Sequence, residues 1–319
     1  MTSHPELRPV GLDDAHWVAE LLTRCHPADP EDPEVLRHRW ASFQLAWFHH
    51  RSAVLVGGEA VGVTRAWHAP WEAEPERVGR WNLGLLPEVT GLADDVIPQV
   101  EARLRAEGAR TLSSGANEAE DWLLAALSRR RYRRDHLERA WELDLVTHRE
   151  RLLKVTAESR ARMAEQGVNM VTLEGVADQA GFWARLTRFY AETMDDEPHT
   201  TPVHAMSEDE VRAELTGPDI RADRVWLAFR GPEMAGLSHL TYPPVRGHSW
   251  TGFTATGRAF RGRGIARAVK MESLAQAIEL GVRTVRTDND ERNAPMLHIN
   301  DTLGYVAIPS WVGYLKDIS

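Results

Sequence analysis

The sequence predicts an α+β protein built from two tandem copies of one unit, and three observations carry that expectation. The chain has 319 residues, 43% of them hydrophobic, enough for two domains of about 150 residues each. Gly108-Ala109-Arg110-Thr111-Leu112 recurs as Gly281-Val282-Arg283-Thr284-Val285, 173 positions later. Each segment follows an amphipathic stretch of helical period, Leu92 to Glu107 in one case and Ile265 to Leu280 in the other. In both, a glycine stands where the last helical turn wants a positive φ, and a short strand begins after it.

Taken in chain order, Leu7 to Val10 opens the first copy as a strand and Met170 to Leu173 opens the second. Ala53-Val54-Leu55-Val56 and Glu59-Ala60-Val61-Gly62-Val63 read as two strands joined by a Gly-Gly turn. Val225-Trp226-Leu227-Ala228-Phe229 and Glu233-Met234-Ala235-Gly236-Leu237 repeat that hairpin. Downstream, Asp121 to Arg131 with Tyr132 mirrors Pro295 to Thr302 with Leu303-Gly304-Tyr305. Each copy therefore reads as strand, helix, helix, three strands, helix, strand, helix, strands. The expected divisions are 1–147, 148–169 and 170–319. The middle piece, charged and helix-prone from Arg149 to Gln166, is expected to be a connecting helix.

Composition narrows the function classes. A formal net charge of -9 argues against a nucleic-acid partner that needs a broad basic face. A single cysteine, Cys25, cannot form an intramolecular disulfide and leaves no cysteine-built metal site. Met1 to Val10 lacks the apolar core of a signal peptide, and no run approaches the roughly 18 apolar residues of a membrane span. A cytoplasmic protein without a membrane partner is expected, as monomer or homodimer.

Arg261-Gly262-Arg263-Gly264-Ile265-Ala266 follows the strand expected at Ser249 to Thr256 and opens a helix. Glycines allow the tight turn, and the helix N-terminus offers unpaired N–H groups and positive potential suited to a pyrophosphate. Arg258 and Arg267 add charge nearby. Taken alone, the loop reads equally as a solvated turn. It lacks the Lys-Ser/Thr of a nucleotide-hydrolysing loop and the three-glycine spacing of a dinucleotide-binding turn.

Some twenty residues on stand Thr287-Asp288-Asn289 and then Asn293-Ala294-Pro295-Met296 through Gly304-Tyr305. With these residues the sequence resembles the GNAT superfamily of acyl-CoA N-acyltransferases. Arg261, Gly264 and Ala266 match one motif of that family, and Asn293, Met296, Gly304 and Tyr305 partly match the next. The resemblance covers Met170 to Lys316. It implies two GNAT-like domains in tandem, each with a mixed, mostly antiparallel sheet flanked by helices, and acetyl-CoA as cosubstrate without a metal. It further implies that backbone N–H groups from Arg261 to Ala266 hold the pyrophosphate. The pantetheine arm would pair with Thr254, Ala255 and Thr256, Asn293 would bond that arm, and the thioester would lie beside Asn289.

The chemistry expected of the family is incomplete here. Ser249 to Thr256 carries no carboxylate where many relatives keep a base, and Asn300 stands where many keep a tyrosine acid. An amide can still hydrogen-bond the sulfur or the oxyanion. His239 is the nominated base, with Tyr242, His248 and Asp288 as outsiders, and Tyr305 is expected to pack its ring. Asp195-Asp196-Glu197, between the first two helices of the second copy, reads either as a binding patch for a cationic amine or as a polar helix end. The first copy has Thr90 for the loop arginine, Asp94 and Asp95 at the helix start, and Glu120 near the Asn293 position, and so reads as catalytically silent. Trp40, Trp47, Trp67, Trp71 and Trp81 are expected in its core, and His49-His50 at a helix end. The expected function is N-acetylation of a small-molecule primary amine by direct attack in the second copy. A degenerate acyl-CoA sensor is the alternative.

Overall fold

The computed structural model describes residues 4–42, 46–196, 198 and 204–318. The first half runs β1 (Glu6–Pro9), α1 (Ala15–Cys25), α2 (Pro33–Ser42), β2 (Phe48–Val56), β3 (Glu59–His68), β4 (Val78–Leu85), α3 (Ala93–Ala106), β5 (Thr111–Asn117), α4 (Asp121–Arg129) and β6 (Arg133–Asp144). Helix α5 (Arg149–Glu165) follows. The second half runs β7 (Val168–Thr172), α6 (Phe182–Met194), α7 (Glu208–Leu215), β8 (Val225–Arg230), β9 (Glu233–Leu240), β10 (Ser249–Thr256), α8 (Ile265–Glu279), β11 (Thr284–Asp290), α9 (Ala294–Leu303) and β12 (Val306–Asp317). The order of elements repeats, as the internal match requires. His49 and His50 are the exception to the sequence reading: they lie in β2, paired with Trp67 and Ala66 of β3, and not at a helix end. No described helix is long and apolar enough to cross a membrane.

Local sequence accounts for the helix starts. Ser207 and Glu210 form a reciprocal capping box that opens α7. Asn293 caps α9 by accepting from the Met296 amide, with Pro295 in the first turn, where a missing N–H is harmless. Helix α8 is buried almost all round, including Lys270, Glu272 and Ser273, because it lies between the sheet and α5. Arg160 of α5 clamps the nearly buried Glu272 with two bonds, Nε to Oε1 at 2.7 Å and one terminal nitrogen to Oε2 at 2.6 Å.

The twelve strands among the described residues form one sheet in the order β1-β2-β3-β4-β5-β12-β6-β11-β10-β9-β8-β7. The order crosses the boundary between the halves. Strand β12, the last of the second half, pairs with β5 from Trp311↔Asn117 to Asp317↔Thr111. Strand β6, the last of the first half, pairs with β11 from Thr284↔Asp144 to Asp290↔Glu138. The two exchanged strands also pair with each other, antiparallel, at the centre of the sheet. Each half thus completes its partner's sheet, and pseudo-twofold symmetry follows from that exchange. Separate cores flank it. Trp81, Ile97, Leu104, Leu112 and Leu127 pack under the first half, and Phe182, Leu186, Val211, Leu227 and Leu237 under the second. Of the tryptophans, Trp81 and Trp40 are core residues, and the Trp81 indole donates to the Tyr132 hydroxyl at 2.9 Å. Trp71 packs against that core and stacks on His68 at 3.8 Å between ring centres, while Trp67 lies under the Arg65 guanidinium.

With central strands exchanged, neither half can unfold alone without unpairing the other. Calorimetric melting is expected to give one cooperative transition with equal calorimetric and van't Hoff enthalpies; two resolved transitions would contradict the exchange.

Candidate active site

Strands β10 and β11 are parallel neighbours that pair only at Ser249↔Val285 and Trp250↔Arg286. Beyond those pairs, Thr251 to Thr256 remain with β9, while Thr287 to Asp290 remain with β6. The parting leaves a cleft of about 200 Å³, with Thr251, Gly252 and Thr254 on one wall and Asp288, Asn289 and Asn293 on the other. The Gly257 amide donates to Ala235 of β9 at 3.1 Å. By antiparallel alternation, Thr254 and Thr256 then turn their N–H and C=O groups away from β9 and into the gap. Ala255, between them, packs its side chain against the core beneath α6 and α7. An open strand edge of this kind can pair with an extended, amide-bearing ligand.

The cleft leads to the N-terminus of α8. Gly262 and Gly264 adopt φ of 73° and 79°, a region that only glycine enters freely, and a Cβ at either would meet nothing within 4 Å. The amides of Gly262, Arg263, Gly264, Ile265 and Ala266 donate to no protein acceptor among the described residues. Such a run of free N–H groups at a helix start is a concave anion site. Arg261 stands beside it, and the Arg263 guanidinium lies over the Phe260 ring.

The side chains of β11 alternate across the sheet. Thr287 and Asn289 face α8 and α9, where they meet Lys270, a residue the sequence reading passed over. The Lys270 ammonium is fully buried. It donates to Asn300 Oδ1 at 2.8 Å and to Thr287 Oγ1 at 3.3 Å, and lies 5.0 Å from the centre of the Tyr305 ring. Burial lowers its pKa to about 7, partly opposed by the Asp288 carboxylate. Asn300 Nδ2 in turn donates to Asn289 Oδ1 at 2.8 Å. Asp288 points the other way, into the cleft wall on the side of α6 and α7. Asp288 is exposed at the cleft, yet desolvation by the surrounding walls raises its carboxyl above the usual carboxylate range, with Lys270 opposing.

Several expected site residues lie elsewhere than the sequence suggested. His239 is sealed beneath Gly252, where a Cβ would come within 2.2 Å of its Cε1 atom, and both ring nitrogens lack a hydrogen-bond partner. Burial holds its pKa down at about 4, so it is not a solvent-facing base. Asn300 is fully buried behind Asn289 and does not line the cleft. Tyr305 packs its ring as expected; its buried hydroxyl faces the Thr251 side chain, and burial pushes its pKa far up. Asp196 and Asp195 pair with the loop arginines: Arg258 Nε reaches Asp196 Oδ2 at 2.8 Å, its terminal nitrogen reaches Asp195 at 2.8 Å, and Arg261 also bonds Asp196. Glu197 lies outside the described residues. Tyr242 has a buried, unpartnered hydroxyl, and the His248 ring bonds the Ala28 carbonyl.

The first half repeats the parting but not the site. Strands β4 and β5 pair from Val78↔Thr111 to Trp81↔Ser114 and then diverge. His26 enters there, its Nε2 2.8 Å from where a Gly84 Cβ would stand and its Nδ1 3.1 Å from Glu120 Oε1. Glu120 Oε2 accepts from the Asn117 amide at 2.8 Å. In place of the glycine loop, residues Pro87–Leu92 form a 3-10 turn, and Asp94 in the next turn pairs with Arg129.

No protein-family model matches the sequence, and no curated protein is similar to it. Solved structures are similar over nearly the whole chain. A tandem GNAT protein from the clavulanic acid biosynthesis pathway, without acetyl-CoA, is 16% identical, with a TM-score of 0.74 over 98% of each chain. A GCN5-related N-acetyltransferase from Sphaerobacter thermophilus is 16% identical, with a TM-score of 0.66 over 98% of this chain and 96% of that one. A glucosamine N-acetyltransferase region of a fungal multi-domain β-N-acetylglucosaminidase is 13% identical, with a TM-score of 0.68 over 98% of this chain and 38% of that one. This chain has the tandem GNAT fold.

Within that fold, the first half lends Glu138 of β6 to the cleft and fastens to the second half at further points. Asp32 Oδ2 accepts from the amides of Val245 and Arg246 at 2.7 and 2.9 Å. Arg286 of β11 donates to the Ala28 carbonyl at 2.9 Å and to Glu142 at 2.8 Å. The His38 ring meets the Ala213 carbonyl at 3.0 Å, and Trp47 stands edge-on to His204 at 4.9 Å.

The sealed imidazole gives a pH test of this arrangement. With a folded pKa near 4 and an unfolded one of about 6.5, the unfolded chain binds the extra proton between those values. Stability from this group is therefore present above pH about 6.5 and lost towards pH 4, at up to about 1.4 kcal/mol per pH unit. Urea unfolding of wild type and His239→Leu over that range should show the acid slope diminished in the variant; equal slopes would place the imidazole in contact with solvent.

Proposed function

We propose that the protein transfers an acetyl group from acetyl-CoA to the primary amine of a small molecule, with residues 170–319 supplying the site and residues 1–147 walling its acceptor side. The observation that carries this reading is the continuous path from the open edge of β10 to the free amides at the start of α8. The donor set fits the cosubstrate. The amides from Gly262 to Ala266 suit a pyrophosphate, Arg261 and Arg263 add charge, and Thr254 and Thr256 offer backbone groups to a pantetheine arm. Asn293 keeps its amide nitrogen for the same arm while its oxygen caps α9. When bound, acetyl-CoA supplies a thioester as the acyl donor.

Asp288 is the base in this reading. It lies on the acceptor side of the parting strands, and its raised pKa makes it a better proton acceptor than an ordinary surface carboxylate. Asp288 takes one proton from the cationic amine and later releases it to solvent. The neutral nitrogen forms a bond to the thioester carbonyl carbon, the carbon–sulfur bond breaks, and the second proton that nitrogen gives up goes to the departing thiolate. Asp195 and Asp196 are engaged by Arg258 and Arg261, which leaves Asp288 to meet a cationic amine. The deprotonated carboxylate is the active form, so kcat/KM rises with pH through the raised pKa and then levels.

The test is acetyl-CoA-dependent turnover over a panel of small amines, followed by thiol release. Asp288→Asn should lower kcat about 100- to 10,000-fold, remove the acid limb, and leave acetyl-CoA affinity unchanged. Binding of acetyl-CoA without turnover of any amine by wild type would favour an acyl-CoA sensor. Turnover undiminished in Asp288→Asn would exclude this carboxylate as the base.

A further inference from the structure

Lys270 poses a question that packing does not answer. Its ammonium is fully buried, and among the described residues no carboxylate stands within ion-pair distance of it. Desolvating an amine costs several kcal/mol, and a methionine of similar length would fill the space without that penalty. The three directions open to its protons are nonetheless all used: Asn300 Oδ1, Thr287 Oγ1 and the face of the Tyr305 ring.

The chemistry of the contact with Asn300 has a direction. As an ammonium, lysine only donates, whereas an asparagine amide can present either end. A donor at 2.8 Å requires Asn300 to turn its oxygen to Lys270, so its NH2 faces away, towards Asn289. Asn289 must then turn its own oxygen to Asn300, at 2.8 Å. Its NH2 is left pointing elsewhere, and Asn289 is a wall residue of the cleft. Without Lys270, both amides could flip together and keep their mutual bond, with a carbonyl oxygen facing the cleft.

We propose that Lys270, Asn300 and Asn289 form a directional relay that fixes the Asn289 NH2 as a hydrogen-bond donor to the carbonyl oxygen of the bound thioester. The inference rests on the acyl-CoA reading of the cleft. In it, Asn289 is a catalytic residue, and Lys270 and Asn300 are positioning residues that transfer no proton. The donor stabilises the negative charge that develops on the oxygen when the amine attacks. This also explains how Asn300 contributes although it does not reach the cleft.

The experiment is difference infrared spectroscopy of isotope-labelled acetyl-CoA bound to the full-length protein, which needs no acceptor. The wild type should shift the thioester carbonyl stretch to lower frequency than in solution. Asn289→Ala, Lys270→Met and Asn300→Asp should each lose that shift while weakening acetyl-CoA binding by no more than about tenfold. Asn300→Asp keeps the bond to Lys270 but only accepts, so it draws the Asn289 NH2 away from the cleft and serves even if Lys270→Met fails to fold. In steady-state assays each variant should lose about 10- to 100-fold in kcat. Lys270→Met combined with Asn289→Ala should lose no more than either alone. Lys270→Gln, a neutral donor, should recover part of the loss. A shift retained in Lys270→Met or Asn300→Asp, or additive losses in the double variant, would overturn the relay while leaving the acyl-CoA reading intact. Failure of wild type to bind acetyl-CoA would remove both.

Discussion

Strands β10 and β11 hydrogen-bond over two residue pairs and then separate, and nearly every functional feature of the molecule depends on that parting. Parallel strands that stayed paired would leave no free backbone edge at Thr254 and Thr256 and no gap beside Asn289. Each strand can leave the other because it has a second partner. Strand β9 holds β10, while β6, borrowed from the first half, holds β11 along its length. The exchange of β6 and β12 is thus part of how the cleft stays open. It secures one wall with a strand encoded more than a hundred residues away.

The same topology produces opposite outcomes in the two halves, and few residues separate them. In the second half, glycines at 262 and 264 leave amides unpartnered and space above them. In the first, a 3-10 turn consumes that segment, and His26 with Glu120 occupies the parting of β4 and β5. Under the proposed function the first half serves as architecture. Its turn around Ala28 to Asp32 fastens to Val245, Arg246 and Arg286, next to the strands that part.

Much of this was legible in the sequence because it depends on local rules. The repeated glycine after a helix, the Gly-Gly hairpin and the Gly-x-Gly loop each impose backbone geometry, and the strand Ser249–Thr256 has the expected bounds. Three features were not legible, each for a physical reason. Nothing in the sequence of β6 or β12 distinguishes pairing within its own copy from pairing across copies, since the alternation of residues is the same in both. Lys270 carries no signal of its own within its helix, and is buried because α8 turns it towards Thr287 of β11 and Asn300 of α9. The roles of Asp288 and His239 turn on which face of a strand each occupies. Alternation along β11 places Asp288 opposite Thr287 and Asn289, whereas the bulge at Gly252 seals His239 beneath it.

One coenzyme site per chain, built by the second half alone, is what the proposed function requires, and calorimetric titration of acetyl-CoA measures it directly. Gly91 and Gly264 occupy corresponding places, and a side chain at either would meet no neighbour within 4 Å. A glutamate at 264 would set a negative charge among the amides meant for a pyrophosphate. The prediction is one site per chain in wild type and in Gly91→Glu, and none in Gly264→Glu that melts as a folded protein. Two sites per chain, or binding lost in Gly91→Glu and kept in Gly264→Glu, would contradict it.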